Sequence, residues 1–543
     1  MMTKTSVVLR RTTMKQQRAG AFRRTWTAFV VVATSAPYVF NWLTTPAGYH
    51  YTWIIPPYPE DSFGYMAWAQ QAAHGAWLFK IKYTALSHNA FLFHPFFLLC
   101  GWISALLSCD IAIIFWAAKA IGTGVFLVTF YRYIDYLGLN RFQANVASIL
   151  VGISSGLGGI FAWAGWLKPS SLPPADLWMP EASTFFALLW NPLFPFSLTL
   201  MLLSIYWLDR GTRDERARDL WLSGLAAGVM TLIHPYALPL LFTLTASVTI
   251  VRKRLKSIAY LFRYFAAALP FAIYVILVSR LNPLVARHNV VGVMKSPPLI
   301  MYAFGFGLPL LLGIGGLVVA RRTLLTKYWH IILWVLLSVA LAYAPFWFQR
   351  KLIFGAHIPL CILAAIAFDT MLTKLAPARR RSILIGIAVI LLPLVVATPL
   401  YLVVTQRGQV QANADGAYFL SDDMVEALKV LKQQSKPNDV VFATPATSRL
   451  IPVFSGNTTV WGHWAMSVDR EARERWLGNL FANIDDRNRS REFWSNDIQF
   501  VFADGALKQW LEQSPFGWGV ILRDARKVFE NRSVVIYERQ STS

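Results

Sequence analysis

Apolar runs of roughly 20 residues, the length a helix needs to cross hydrocarbon, recur from Trp26 to Val404 and constrain this fold more than anything else. Tryptophans at the ends of these runs fit interfacial belts. The first run reads as a retained span. Further spans follow it, and no small-residue cleavage pattern stands out after Phe40. The expected fold class is a polytopic α-helical membrane protein.

Charge sets the expected topology. The net charge is +23, which by itself suggests a nucleic-acid partner. Its distribution argues against one. Residues 405–543 hold 17 Lys and Arg against 17 Asp and Glu, so the excess lies entirely in residues 1–404. It clusters in short segments: seven cations before Trp26, then Arg252-Lys253-Arg254, Arg321-Arg322 and Arg379-Arg380-Arg381. Basic clusters in short loops mark cytoplasmic loops rather than a groove for phosphodiesters. Cys100, Cys109 and Cys361 all fall in apolar segments and offer neither a disulfide framework nor zinc spacing.

With the basic N-terminus in the cytoplasm, the first span covers 26–43 and residues 44–110 form a long outer loop. The short apolar run 92–107 is expected to be re-entrant or interfacial, since only then do the later basic clusters fall inside. Spans are expected near 111–130, 143–163, 183–207, 220–234, 236–251, 258–279, 298–319, 328–347, 356–372 and 382–404, eleven in all with the first. Outer loops are 164–182, 280–297 and 348–355. The expected division is a membrane domain, 1–404, and an extracytoplasmic α/β domain, 405–543. In the latter we expect helices over Asp422–Gln434 and Asp469–Asn483. Strand-like segments are Val440–Ala443, Thr458–Trp461, Ile498–Phe502 and Val534–Glu538.

Carboxylates are scarce in the membrane half: residues 1–404 contain eleven. Charges near a bilayer are costly, so the pair Glu60-Asp61, in a loop punctuated by Pro56, Pro57 and Pro59, is a candidate catalytic base. Asp61 can equally cap a helix over 63–75, for about 1 kcal/mol, and capping does not preclude catalysis. That helix, with Phe63, Tyr65, Met66 and Trp68, would lie at the interface. Asp176 and Glu181 are expected to face outward too, either to hold a hydroxyl-bearing acceptor or to begin turns and helices. Among outer cations, Arg350-Lys351 suit a phosphate, with Arg287 a weaker candidate; the alternative is snorkelling to headgroups. His94 and His463 are candidate acceptor contacts. The Trp461-Gly462-His463-Trp464 cluster is expected to be exposed.

The stretch Pro59-Glu60-Asp61-Ser62-Phe63-Gly64-Tyr65, the loop Phe93-His94-Pro95-Phe96 and the segment Asp176 to Pro192 sit in an odd-parity bundle with an outer C-terminal domain. Together they resemble the GT-C glycosyltransferases, in particular bacterial multi-span relatives of protein O-mannosyltransferases and aminoarabinose transferases. The resemblance implies a polyprenyl-phosphate-linked sugar donor and a glycan, lipid or protein acceptor. It places the protein in a bacterial plasma membrane, with the chemistry on the outer face. It implies Asp61 as general base, Arg350-Lys351 neutralising the leaving phosphate, inversion at the anomeric carbon, and both charged groups in one water-facing chamber. Many members read Asp-Glu where this chain reads Glu-Asp, which leaves open which acid is the base. A divalent metal ion serves some members and not others. The competing readings are a transporter or flippase of a lipid-linked glycan, for which Lys119 in mid-span speaks, and a non-catalytic assembly protein.

Overall fold

The computed structural model describes residues 4–168, 170–291, 293–374, 377–412, 416–482, 486–513 and 515–540. Residues 413–415 of the polar stretch Gln406–Asp415, and Asn483 at the end of the expected 469–483 helix, lie outside them. The chain forms two compact units. The first comprises Met1–Pro37, Ala117–Val275 and Val293–Gln406, and the second Tyr38–Trp116, Ile276–Gly292 and Arg407–Ser543.

The first unit is helical. Among the described residues of the chain, five stretches are long and apolar enough to cross a membrane: Ile111–Tyr136, Pro235–Leu281, Leu299–Val319, Gln349–Thr373 and Val389–Gln406. A sixth arises if the bent pair Arg321–Lys327 and Trp329–Leu341 is one span. Several expected spans are helices broken by their own sequence. The 143–163 segment splits into Arg141–Ile153 and Gly158–Trp163. Its break is held by the Asp176 carboxylate, which accepts the N–H groups of Gly156 (2.8 Å) and Gly158 (3.3 Å). Opposite it the helix Leu299–Val319 kinks at Gly307, whose φ of +48° favours glycine and whose added Cβ would lie 2.9 Å from the Gly156 Cα. Two broken backbones therefore meet where neither carries a side chain.

Three charged residues inside this unit have structural partners. Lys119 is buried and its Nζ donates to the Thr34 carbonyl at 2.7 Å. Asp369 accepts from Asn140 (2.7 Å) and Gln143 (2.9 Å). Asp209 is buried between Arg252 (2.7 Å), the Tyr133 hydroxyl (3.1 Å) and His330 (3.1 Å). Burying a charge without such partners would be costly.

The second unit unites the long 44–110 loop with the C-terminal residues. Strands β1 (Tyr49–Tyr51) and β2 (Phe419–Ser421) pair antiparallel. The five-stranded sheet is built from β3 (Val440–Phe442), β4 (Thr458–Thr459), β5 (Ile498–Ala503), β6 (Ala525–Glu530) and β7 (Val535–Arg539), in the order β4-β3-β5-β7-β6. Neighbours are parallel across β4-β3-β5 and antiparallel across β5-β7-β6. The strand β6 was missed because Arg526, Lys527 and Glu530 give its short sequence little apolar alternation. An aromatic core of Phe442, Trp461, Phe493, Trp494 and Trp518 fills one side of the sheet. Residues of the 44–110 loop are fastened to this domain. Lys82 Nζ donates to the Pro437 carbonyl (2.6 Å) and Asn438 (3.1 Å), and the Thr84 hydroxyl donates to Asp469 (3.0 Å). Burial lowers the Lys82 amine to about 8.

The short apolar run expected at 92–107 is the helix Pro95–Leu107. It packs on the helix Pro59–Ala73 through Gly101, where an added Cβ would lie 2.3 Å from the Ala69 carbonyl oxygen. Leu99, Trp102 and Leu106 lie on its exposed face.

Candidate active site

The helix carrying the acidic pair starts earlier than its sequence suggested. Pro59 occupies its first turn, where a missing N–H costs nothing. Tyr58 is the N-cap residue, with no side-chain cap hydrogen bond. The expectation that Asp61 caps a helix over 63–75 is therefore corrected: Asp61 lies inside the first turn, beside Glu60.

Residues 463–466 lie across this turn. An added Cβ at Gly64 would meet Met466 Cε at 2.9 Å and His463 Nε2 at 3.2 Å, so glycine allows the approach. The Trp464 indole Nε1–H donates to Asp61 Oδ1 at 2.9 Å. His463 Nε2 lies 3.6 Å from the same oxygen. The backbone N–H groups of Ala465 and Met466 both donate to His463 Nδ1 at 3.1 Å. With Nδ1 committed as acceptor, the neutral ring carries its proton on Nε2, directed at Asp61. His463 is 4% exposed, which corrects the expectation of an exposed Trp461-to-Trp464 cluster: Trp461 is buried too, and Trp464 is the exposed ring. The Trp461 indole is drawn inward by a 2.8 Å bond to the Ala443 carbonyl. Tyr83, also buried, packs its ring 5.6 Å from that of His463.

Glu60 lies within electrostatic reach of Tyr83 and Arg449. Burial, and then Glu60, push the Tyr83 hydroxyl well above its ordinary range, and this hydroxyl donates to the Arg449 carbonyl at 3.1 Å. Burial lowers the Arg449 guanidinium, with Glu60 opposing that shift. Among the described residues the buried Arg449 Nε has no hydrogen-bond partner. An arginine so placed, beside the acidic pair, is suited to an anion. His94 is buried, accepts the Phe97 N–H at 3.5 Å at the start of Pro95–Leu107, and stacks on the Phe97 ring at 3.8 Å. Arg287 is exposed on the helix Pro283–Val291.

The remaining candidates belong to the first unit. The turn Gln349–Ile353 packs against Pro180–Ala182 and Pro235–Ala237. Within it the Arg350 guanidinium lies over Trp178 at 5.0 Å, and Lys351 Nζ lies 3.8 Å from the centre of the Tyr236 ring. Asp176 and Glu181, expected to face outward, are both buried. The backbone bonds of Asp176 draw it inward, and burial pushes its carboxyl up to about 6. Glu181 Oε2, His234 Nε2 and Arg350 Nε are buried without hydrogen-bond partners among the described residues.

The sequence pointed to the acidic pair and to His463, but not to their other neighbours. Trp464 was noted only as an exposed ring. Arg449, in a stretch with no motif around it, carried no signal. Among the described residues no three His, Cys, Asp or Glu side chains gather as a metal site needs.

No protein-family model matches the chain, and no curated protein matches it. Solved structures do. The archaeal oligosaccharyltransferase AglB from Archaeoglobus fulgidus is similar over 96% of this chain and 75% of its own, with a TM-score of 0.51 and 11% identity. The arabinofuranosyltransferase AftD from Mycobacteria is similar over 95% of this chain, with a TM-score of 0.53 and 13% identity. This chain spans only 40% of AftD. ArnT from Cupriavidus metallidurans is similar over 95% of this chain and 98% of its own, with a TM-score of 0.50 and 14% identity. At such identities the likeness is one of fold. The chain shares the fold of these structures, mostly helical with a C-terminal domain.

Proposed function

We propose that this GT-C-fold chain is a glycosyltransferase that moves a sugar from a polyprenyl-phosphate donor to an acceptor hydroxyl on the extracytoplasmic face. One observation carries the reading. Asp61 sits at a helix N-terminus, with the Trp464 indole on Oδ1 and the Nε2–H of a buried histidine facing the same oxygen. The indole N–H bond fixes the carboxylate in one orientation, as a general base requires, with the His463 ring beside it.

In the proposed step the acceptor O–H gives its proton to Asp61 while its oxygen attacks the anomeric carbon. The bond from that carbon to the phosphate oxygen breaks, and the lipid phosphate leaves with the electron pair. Attack opposite the leaving group inverts the anomeric centre. Arg449, in the same unit as Asp61, is the cation proposed to neutralise the phosphate as charge develops. Glu60, beside Arg449, orients that guanidinium in this reading and leaves the base role to Asp61. The acceptor is a glycan, lipid or protein hydroxyl.

The experiment is transfer by the purified full chain, given a panel of polyprenyl-phosphate sugars and hydroxyl acceptors, with Asp61→Asn as control. Transfer by the wild type, lost in the variant, is the expected result. Full transfer by both Asp61→Asn and Glu60→Gln would remove the catalytic assignment.

A further inference from the structure

The basic segment after Lys253 borders a groove that the proposed reaction does not use. The groove has a volume of about 490 Å³ and lies between the helix Ala217–Ile233 and the start of the helix Ser257–Leu281. Its walls are Trp221, Leu255, Ile258 and Phe262, its floor is Ala259, and its cations are Lys256 and Arg263.

Glycines explain why a groove exists there. At Gly224 an added Cβ would lie 2.2 Å from the Tyr264 carbonyl oxygen, and at Gly228 it would lie 2.4 Å from the Phe271 ring. The two helices thus approach closely at both glycines, backbone to backbone at Gly224. Nearer the groove large side chains stand instead of glycine, and Trp221 meets Phe262 edge to face at 6.4 Å. The walls are bare: Leu255 is 96% exposed, and Ile258 and Phe262 are exposed as well. In a membrane span such surface contacts lipid chains.

The charges select which lipid. Arg252 and Lys253 are already paired, with Asp209 and Glu215 at 2.7 Å each. Glu215 lies within reach of Lys256 but is held by Lys253. Arg263 is steadied by a 2.7 Å bond from Nη1 to the Ala259 carbonyl and by the Tyr260 ring. Its fork, with the Lys256 ammonium seven residues earlier in the turn that leads into the helix, suits a phosphate oxygen at the end of an acyl-lined slot.

We infer that this groove is a binding site for an anionic phospholipid, with its phosphate on Lys256 and Arg263 and an acyl chain along Trp221, Ile258 and Phe262. Charge complementarity names the occupant. A zwitterionic lipid offers no net charge to these two cations, and a second copy of the chain would bring the same cations.

The test is native mass spectrometry of the detergent-purified full chain with phosphatidylglycerol or phosphatidylethanolamine of identical acyl chains. Phosphatidylglycerol should be retained in preference by on the order of tenfold or more, and the double variant Lys256→Ser, Arg263→Ser should lose that preference. Trp221→Ala, which keeps both cations, should weaken retention of both lipids. Equal retention of the two lipids, an unchanged preference in the double variant, or a dimer that occupies this face would each overturn the inference.

Discussion

Trp464 and Asp61 lie 403 residues apart in sequence and are joined by one hydrogen bond, indole Nε1–H to Oδ1 at 2.9 Å. The bond brings a residue of the C-terminal part onto the acidic loop. It makes the C-terminal residues part of the proposed site rather than a cover for it.

Trp464→Phe keeps the aromatic ring and removes the donor. A hydrogen bond to a charged group is worth about 1.5–3 kcal/mol, so transfer should fall roughly 10- to 100-fold. Trp464 is partly exposed, and the midpoint of thermal unfolding should stay within a few degrees of wild type. A steady-state transfer assay alongside a melting curve separates the two effects.

Gly101→Val tests the packing that supports the acidic helix. The new Cβ would sit 2.3 Å from the Ala69 carbonyl oxygen and 2.5 Å from Ala72 Cβ, and backbone cannot yield as a flexible side chain can. Overpacking of this kind costs about 1–3 kcal/mol. Chemical or thermal unfolding should register the loss. Gly64→Ala should cost less, because its nearest contact is the mobile end of Met466.

Asp176 gives a pH signature. Its carboxyl is raised from 3.8 to about 6 by burial, so the folded chain binds more protons than the unfolded chain between those values. Its contribution to stability is therefore greatest below pH 4 and declines as pH rises to 6 and just beyond. Asp176→Asn keeps an acceptor for the Gly156 and Gly158 N–H groups but cannot titrate. Melting temperatures across pH 4–7 should show a decline in the wild type that is smaller in the variant.

Arg449→Gln should lower the transfer rate by on the order of 100-fold if its guanidinium meets the leaving phosphate. Arg449→Lys should restore part of the rate, since it returns the charge without the planar fork. Measuring kcat and KM for the donor distinguishes this from loss of uniform binding, which would raise KM alone.

Periodicity and charge made the membrane half legible, because hydrocarbon admits few solutions for long apolar runs. The breaks were less so. What divides 143–163 is Asp176, some 20 residues downstream, accepting two glycine N–H groups. The acidic pair could be found from scarcity alone: few carboxylates stand near this bilayer. Its partners could not. Arg449, His463 and Trp464 reach Glu60 and Asp61 only through the pairing of loop and C-terminal residues, and no local spacing records that. Pro59 likewise decided where the helix begins, and with it whether Asp61 caps or stands free of capping.

The most direct test of the central claim is the single-turnover rate of sugar transfer from a polyprenyl-phosphate donor by wild-type and Asp61→Asn protein. Loss of a general base predicts a fall of about 10²- to 10⁴-fold, with donor binding retained. A variant that transfers at the wild-type rate would contradict the assignment of Asp61 as the base.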